Sequence, residues 1–129
     1  MAAIQSKDTK PELIVRRLVH SLGFRYRLHA RDLPGKPDLV FRTRRKVIFV
    51  QGCFWHLHPD AKCLDARKPK SNTGYWGPKL SRNVARDAQH QSSLKLAGWK
   101  VLIIWECETK KRAPLERRLI KFLGRRPAI

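Results

Sequence analysis

The segment Gly52-Cys53-Phe54-Trp55-His56-Leu57-His58 constrains this chain more than any other. It follows the strand-like run Val47-Ile48-Phe49-Val50 and sets a thiol, two imidazoles and two large aromatics at a strand end. Upstream lies Pro37-Asp38-Leu39-Val40-Phe41, in which a carboxylate opens another strand-like run. Soft ligands, a proton acceptor and stacking surfaces near an acid that opens a strand point to metal-dependent chemistry. The charge says on what: 29 Lys+Arg against 10 Asp+Glu give a formal +19, spread along the whole chain. Such a field favours a polyanion, because counterions released from phosphates drive binding. No segment approaches the ~18 apolar residues of a membrane span, and no signal peptide opens the chain. A soluble cytoplasmic protein associated with the nucleoid is expected.

The 129 residues suit one domain, 1–129. Residues 11–22 have helical spacing at Ile14, Leu18 and Leu22, with Thr9 as N-cap, Pro11 in the first turn, Glu12 as capping-box acid and Gly23 as terminator. Phe24 to Leu28 alternates like a strand, and Pro34-Gly35-Lys36-Pro37 is a turn. Asp38 to Phe41 and Lys46 to Val50 form the next strands, joined by the basic hairpin Arg42-Thr43-Arg44-Arg45. Pro59 to Pro78 is polar, basic and rich in turn formers, which predicts a long loop. Lys79 to Leu96 reads as a helix, Trp99 to Trp105 as a buried strand, and Pro114 to Leu123 as a last helix before a frayed basic end. This order predicts an α/β fold, a mixed central sheet flanked by helices. No apolar surface stripe stands out, so a monomer is expected.

Cysteine usage sharpens the metal argument. An odd count of three argues against a disulfide framework. Cys53-x4-His58-x4-Cys63, joined by Cys107 after the last strand, makes a Cys3His set suited to tetrahedral structural Zn²⁺. Three separate buried thiols are the plainer reading of the same residues. Four protein ligands leave no open position, which frees His56 for proton transfer. Asp38, a hard oxygen donor, suits Mg²⁺, and a phosphodiester needs such an ion to offset charge at the scissile phosphate. An ordinary turn residue is the alternative for Asp38. Phe54, Trp55 and Trp76 lie in basic stretches and can stack on bases or wedge between them; burial is the alternative. Trp99 and Trp105 are assigned to the core.

Five stretches together resemble the very short patch repair (Vsr) DNA mismatch endonucleases. They are Lys7-Asp8-Thr9-Lys10-Pro11-Glu12, Pro34-Gly35-Lys36-Pro37-Asp38, Gly52-Cys53-Phe54-Trp55-His56, Asn83-Val84-Ala85-Arg86-Asp87 and Gly98 through Cys107. The resemblance covers nearly the whole chain in the same order. It implies a restriction-endonuclease-like core with a structural zinc. It also implies a Mg²⁺-dependent nick 5′ of the thymine in T·G mismatches, which arise when 5-methylcytosine deaminates. By likeness, Asp38 and the Val50 carbonyl hold Mg²⁺, His56 is the general base, and Glu12 is a nearby acid. Phe54, Trp55 and Trp76 wedge into the duplex, and Asn83 joins the DNA-contacting residues. Cys53, His58 and Cys107 match zinc ligands.

The chain departs from the family at identifiable points. The family often has His where Gln51 stands near the scissile phosphate; Gln donates a hydrogen bond but carries no charge. Val50 replaces a Thr found in some members, which is harmless if only its carbonyl binds metal. The longer spacing from His58 to Cys63 leaves Asp60 as an alternative zinc ligand, although a thiolate is softer. Members usually carry a basic stretch before the Ala2-Ala3-Ile4 region; a weaker clamp on DNA is one expectation here, and a true start further upstream is the other. Two other functions fit the same residues: a non-catalytic DNA-binding module, and a nuclease of the same superfamily with a different DNA target.

Overall fold

The computed structural model describes residues 9–54, 56, 58, 59, 63 and 73–124. Among them the order is α1 (Lys10–Ser21), β1 (Arg27–Leu28), β2 (Leu39–Phe41), β3 (Lys46–Gln51), α2 (Thr73–Leu96), β4 (Lys100–Trp105), a 3-10 turn (Glu106–Lys110) and α3 (Arg112–Leu123). The strands form one mixed sheet in the order β1-β2-β3-β4. β1–β2 and β2–β3 are antiparallel, and β3–β4 is parallel.

Side-chain alternation sorts the sheet into two buried faces. Leu39, Phe41, Ile48 and Ile104 point to one side, where Val15, Leu18 and Val19 of α1 meet Leu115, Leu119 and Leu123 of α3. Val40, Val47 and Phe49 point to the other and meet Leu94 of α2 and Trp99. Each helix thus covers the sheet with one apolar stripe, as its periodicity requires. Leu39, Ile48, Ile104 and Leu119 are fully buried, and truncating such a residue to Ala costs roughly 2–5 kcal/mol.

Several boundaries differ from the sequence expectation. β1 keeps two residues of the expected Phe24–Leu28 strand, because Phe24 turns into the α1–α3 core while Arg27 and Leu28 stay exposed at the sheet edge. The expected Pro59–Pro78 loop is helical from Thr73 on, since α2 starts there and runs through Pro78. The residue before that proline is Gly77, which has no Cβ to meet the pyrrolidine ring, so the helical region stays open to it. α3 begins at Arg112, with Pro114 in the first turn where no amide is missed. β4 is half-buried, since it lies at an edge with β3 as its one strand partner. Thr9 caps α1 by accepting from the Glu12 amide, but the Glu12 carboxylate is engaged by His29 and Arg16 instead of acting as the expected capping-box acid.

Part of the positive charge is structural. Arg44 and Lys46 donate to the carbonyls of Leu123 and Phe122 at the C-terminal end of α3, where cations offset the helix dipole. Arg45 lies 4.5 Å over the Trp99 ring and donates to the Ala97 carbonyl. The β2–β3 hairpin therefore uses its cations to fasten both helical layers. No helix among the described residues is long and apolar enough to cross a membrane.

Candidate functional site

Three elements converge on Asp38. It precedes β2 at the end of the Pro34–Pro37 turn, and its Oδ2 accepts from the Val50 amide at 2.7 Å. Backbone N–H and C=O of one strand residue face the same edge, so the Val50 carbonyl is directed toward Asp38 as well. The turn itself is pinned by α2. Gly35 has φ +75°, and a Cβ there would lie 2.9 Å from the His90 Cβ, so only glycine lets the helix come so close.

From the other side, α1 delivers Glu12, 2% exposed. Its carboxylate pairs with Arg16 one turn on and lies 3.1 Å from His29 Nε2. His29 follows β1 in a left-handed conformation, and its amide donates to the Asp38 carbonyl at 3.2 Å. Ligand atoms of Glu12, His29 and Asp38 all lie within 4.8 Å of one another. Desolvation pushes the Asp38 carboxyl up from 3.8 to about 8, and a hydrogen bond with Glu12 and that group's charge add to the rise. The cluster therefore holds a proton where two carboxylates would otherwise repel. A small divalent cation displaces such a proton and offsets both charges, and the oxygen-rich donor set fits a hard ion.

This proton has a consequence for stability. A carboxyl raised in the folded state binds its proton more tightly there than in the unfolded chain. Its contribution is full below the unfolded value of 3.8 and is lost as pH rises toward about 8. Without a divalent cation, the chain's melting temperature should fall across that window more steeply than in Asp38→Asn. The variant should melt about 3 °C or more higher at pH 8. Calorimetry at pH 5 and pH 8 measures both; equal slopes would contradict the buried proton.

The segment after β3 makes one helical turn, with the His56 amide donating to the Gly52 carbonyl at 3.1 Å and the His58 amide to the Cys53 carbonyl at 2.9 Å. That turn splits its side chains. Phe54 and His56 line a cleft of about 1620 Å³ that also contains Glu12, His29, Asp38 and Gln51. His56 Nδ1 is 2.5 Å from Asp87 Oδ2 on α2. An ionised carboxylate only accepts, so Nδ1 carries the proton and Nε2 is left as an acceptor. Lys79, Asn83 and Arg86 bring the polar face of α2 to the same cleft.

Cys53 and His58 turn the opposite way. With Cys63 and Cys107 they place one thiol or imidazole atom each within 4.8 Å of the others. His58 Nδ1 lies 3.6 Å from Cys107 Sγ, and its ring stacks on Trp105 at 4.3 Å and 16°. Trp105 is thus half-buried against a candidate ligand, not packed in the core as expected, whereas Trp99 is in the core. Desolvation raises the Cys53 and Cys107 thiols above their ordinary range. Gathered, unoxidised thiols held neutral by burial become thiolates readily once a cation is among them, so the set fits Zn²⁺.

Of the expected site residues, Asp38, Glu12, Val50, Gln51, Phe54, His56 and Asn83 meet at the cleft, and Cys53, His58, Cys63 and Cys107 meet beside it. Trp55, Asp60 and the side chain of Trp76 lie outside the described residues. Sequence reasoning missed His29, Arg16 and the role of Asp87. It also missed Glu106, which accepts from the Cys53 amide at 3.4 Å and lines the cleft, joining the two centres. Asp87 stood inside a recognised stretch; His29 had no signal, because its position depends on β1 pairing with β2.

The sequence profile described as DNA mismatch endonuclease Vsr matches residues 1–62. The type II nicking enzyme V.XorIIP of Xanthomonas oryzae pv. oryzae is 48% identical over 123 residues, which cover 95% of this chain and 88% of that enzyme. V.NmeAIP, a type II nicking enzyme of Neisseria meningitidis serogroup A, is 42% identical over 95% of this chain and 86% of its own length. The DNA mismatch endonuclease Vsr of Escherichia coli K12 is 40% identical over 89% of this chain and 72% of its own length. This chain belongs to the Vsr family of endonucleases.

Proposed function

We propose that this chain nicks one strand of duplex DNA 5′ of the thymine in a T·G mismatch, by Mg²⁺-dependent phosphodiester hydrolysis on a restriction-endonuclease-like core. The observation that carries this reading is one shared cleft, in which the Asp38–Glu12 cluster and the His56–Asp87 pair face the same space. Asp38, with the Val50 carbonyl, would hold Mg²⁺ there, and Glu12 lies beside them. When bound, the ion supplies charge to offset the scissile phosphate and the leaving oxygen. His56 Nε2 takes a proton from water, the water oxygen bonds to phosphorus, and the ester oxygen leaves. Asp87 holds the imidazole in the tautomer that makes Nε2 the acceptor and stabilises the cation that forms. Gln51, buried at the end of β3, offers an uncharged hydrogen-bond donor to the phosphate.

Phe54, Trp55 and Trp76 are assigned to the wedge that opens the stack at a weakly paired T·G, with Asn83 on the DNA-facing side of α2. Cys53, His58, Cys63 and Cys107 hold a structural Zn²⁺ that fixes the His56 turn to the end of β4. The chain works as a monomer.

His56→Ala should slow nicking by on the order of a hundredfold or more, the usual share of a general base. Asp87→Asn should cost on the order of a hundredfold or more as well, because an amide can donate to Nδ1 and leave the proton on Nε2, and it should alter the pH–rate profile that reports the imidazole. An unchanged rate in His56→Ala would remove it from the mechanism. Several relatives carry the name nicking enzyme with no mismatch in it, so the second reading is nicking of a different DNA target, such as matched or branched duplexes. Cleavage of matched, T·G and branched duplexes, each strand end-labelled, separates the readings. The first predicts cuts in the T-bearing strand of T·G duplexes; equal cutting of matched DNA favours the second. Binding with no cuts on any duplex would sink both.

A further inference from the structure

His29 occupies a position that its backbone does not favour for most residues. Its φ of 48° is left-handed, a region histidine visits more often than bulky or branched side chains. Its amide is tied to the Asp38 carbonyl at 3.2 Å, so the two side chains leave neighbouring, hydrogen-bonded segments. The imidazole points at Glu12: Nε2 is 3.1 Å from both Glu12 Oε1 and Oε2 and 3.5 Å from Arg16 Nη2, the guanidinium that a bound cation would displace from Glu12. It lies in the cleft and is 24% exposed, against 2% for Glu12.

That spacing has two meanings. It is a hydrogen-bond length, and it is also the separation of neighbouring donors around one octahedral ion. Two donors each about 2.1 Å from a cation at right angles stand roughly 3.0 Å apart. Ligand atoms of all three residues fall within 4.8 Å, close enough to share one ion. An imidazole among carboxylates also changes which ion the site prefers. Oxygen donors alone suit Mg²⁺, whereas a nitrogen donor strengthens binding along the series from Mn²⁺ to Co²⁺ and Ni²⁺.

We propose that His29 Nε2 is a direct ligand of the cleft cation, beside Glu12 and Asp38, and that this nitrogen makes the site bind Mn²⁺ and Co²⁺ in preference to Mg²⁺. The inference rests on the reading of Asp38 as the metal-holding acid. It goes beyond that reading by adding a ligand and a metal preference.

The test is cation binding to the full, zinc-loaded chain without DNA. Mn²⁺ affinity is read from the free-ion paramagnetic resonance signal, and Mg²⁺ affinity by competition. His29→Gln should weaken Mn²⁺ binding by about tenfold to a hundredfold, the scale of a lost metal-site partner. Its Mg²⁺ affinity should change by less than about threefold, since hard ions gain little from imidazole. Equal losses for both ions would show that His29 merely holds Glu12, and no loss would remove it from the site; either result overturns the proposal. Asp38→Asn should lose both ions. If it binds both normally, the metal assignment of Asp38 falls and the proposal with it. A second readout needs no variant: bound Mn²⁺ in the unaltered chain should show coupling to an imidazole nitrogen in pulsed resonance spectra, and its absence contradicts the proposal. Positive binding results together with no cutting of T·G DNA by either ion would leave His29 as a ligand while overturning the proposed substrate.

Discussion

Asp38→Ala should abolish nicking while leaving DNA affinity within about tenfold of the unaltered chain, because a metal-holding acid acts on transition-state charge far more than on ground-state binding. The structure sharpens this expectation. The Asp38 carboxylate accepts from the Val50 amide and sits against Glu12, so it is fixed from two sides before substrate arrives. DNA binding depends on surface cations spread along a chain of formal charge +19, and one lost carboxylate hardly alters that field. Nicking assays with gel-shift titration on the same duplex measure both quantities. A variant that nicks at the normal rate would overturn the metal assignment, and one that loses DNA binding in proportion would make Asp38 a structural residue.

Loss of the cysteine–histidine centre should be as damaging, by a different route. Cys107→Ser, or stripping with a strong chelator, should lower the melting temperature by about 10 °C or more and abolish nicking with it. Cys53 follows β3, Cys107 follows β4, and His58 closes the turn that carries His56, so the centre ties those strand ends to that turn. Without a cation, the buried thiols stay neutral and hold one another weakly. Elemental analysis should find one zinc per chain in the purified protein. A chain free of zinc, whose melting ignores the chelator, would leave these residues as separate buried thiols.

How much of this was legible beforehand follows from how local each signal is. The runs around Leu39–Phe41 and Lys46–Gln51 announced themselves because strand alternation and turn chemistry act over a few residues. The start of α2 did not, since Pro78 reads as a breaker, although its neighbour Gly77 eases the restriction that proline puts on the residue before it. Phe24 looked like the first residue of a strand, but whether an aromatic pairs or turns inward depends on the core it can reach. The Cys3His set could be assembled from spacing, because soft ligands have few other uses in such numbers. The partners of the proposed catalytic residues could not. Asp87 reaches His56 across 31 positions, and His29 reaches Glu12 across 17, so both contacts exist only once the sheet is formed. Glu12 illustrates the same point from the other direction: its spacing from Thr9 suits a cap, yet burial beside Arg16 and His29 redirects its carboxylate.

Everything rests on a divalent cation seated against Asp38, the residue just before β2. Crystals of the chain with a T·G duplex and Mn²⁺, measured at the manganese absorption edge, locate that ion directly. The account predicts an anomalous peak at bonding distance from an Asp38 carboxylate oxygen and the Val50 carbonyl, with His56 on the cleft wall facing the scissile phosphate. Manganese bound elsewhere, with Asp38 still engaged by the Val50 amide alone and the phosphate distant from His56, would contradict it.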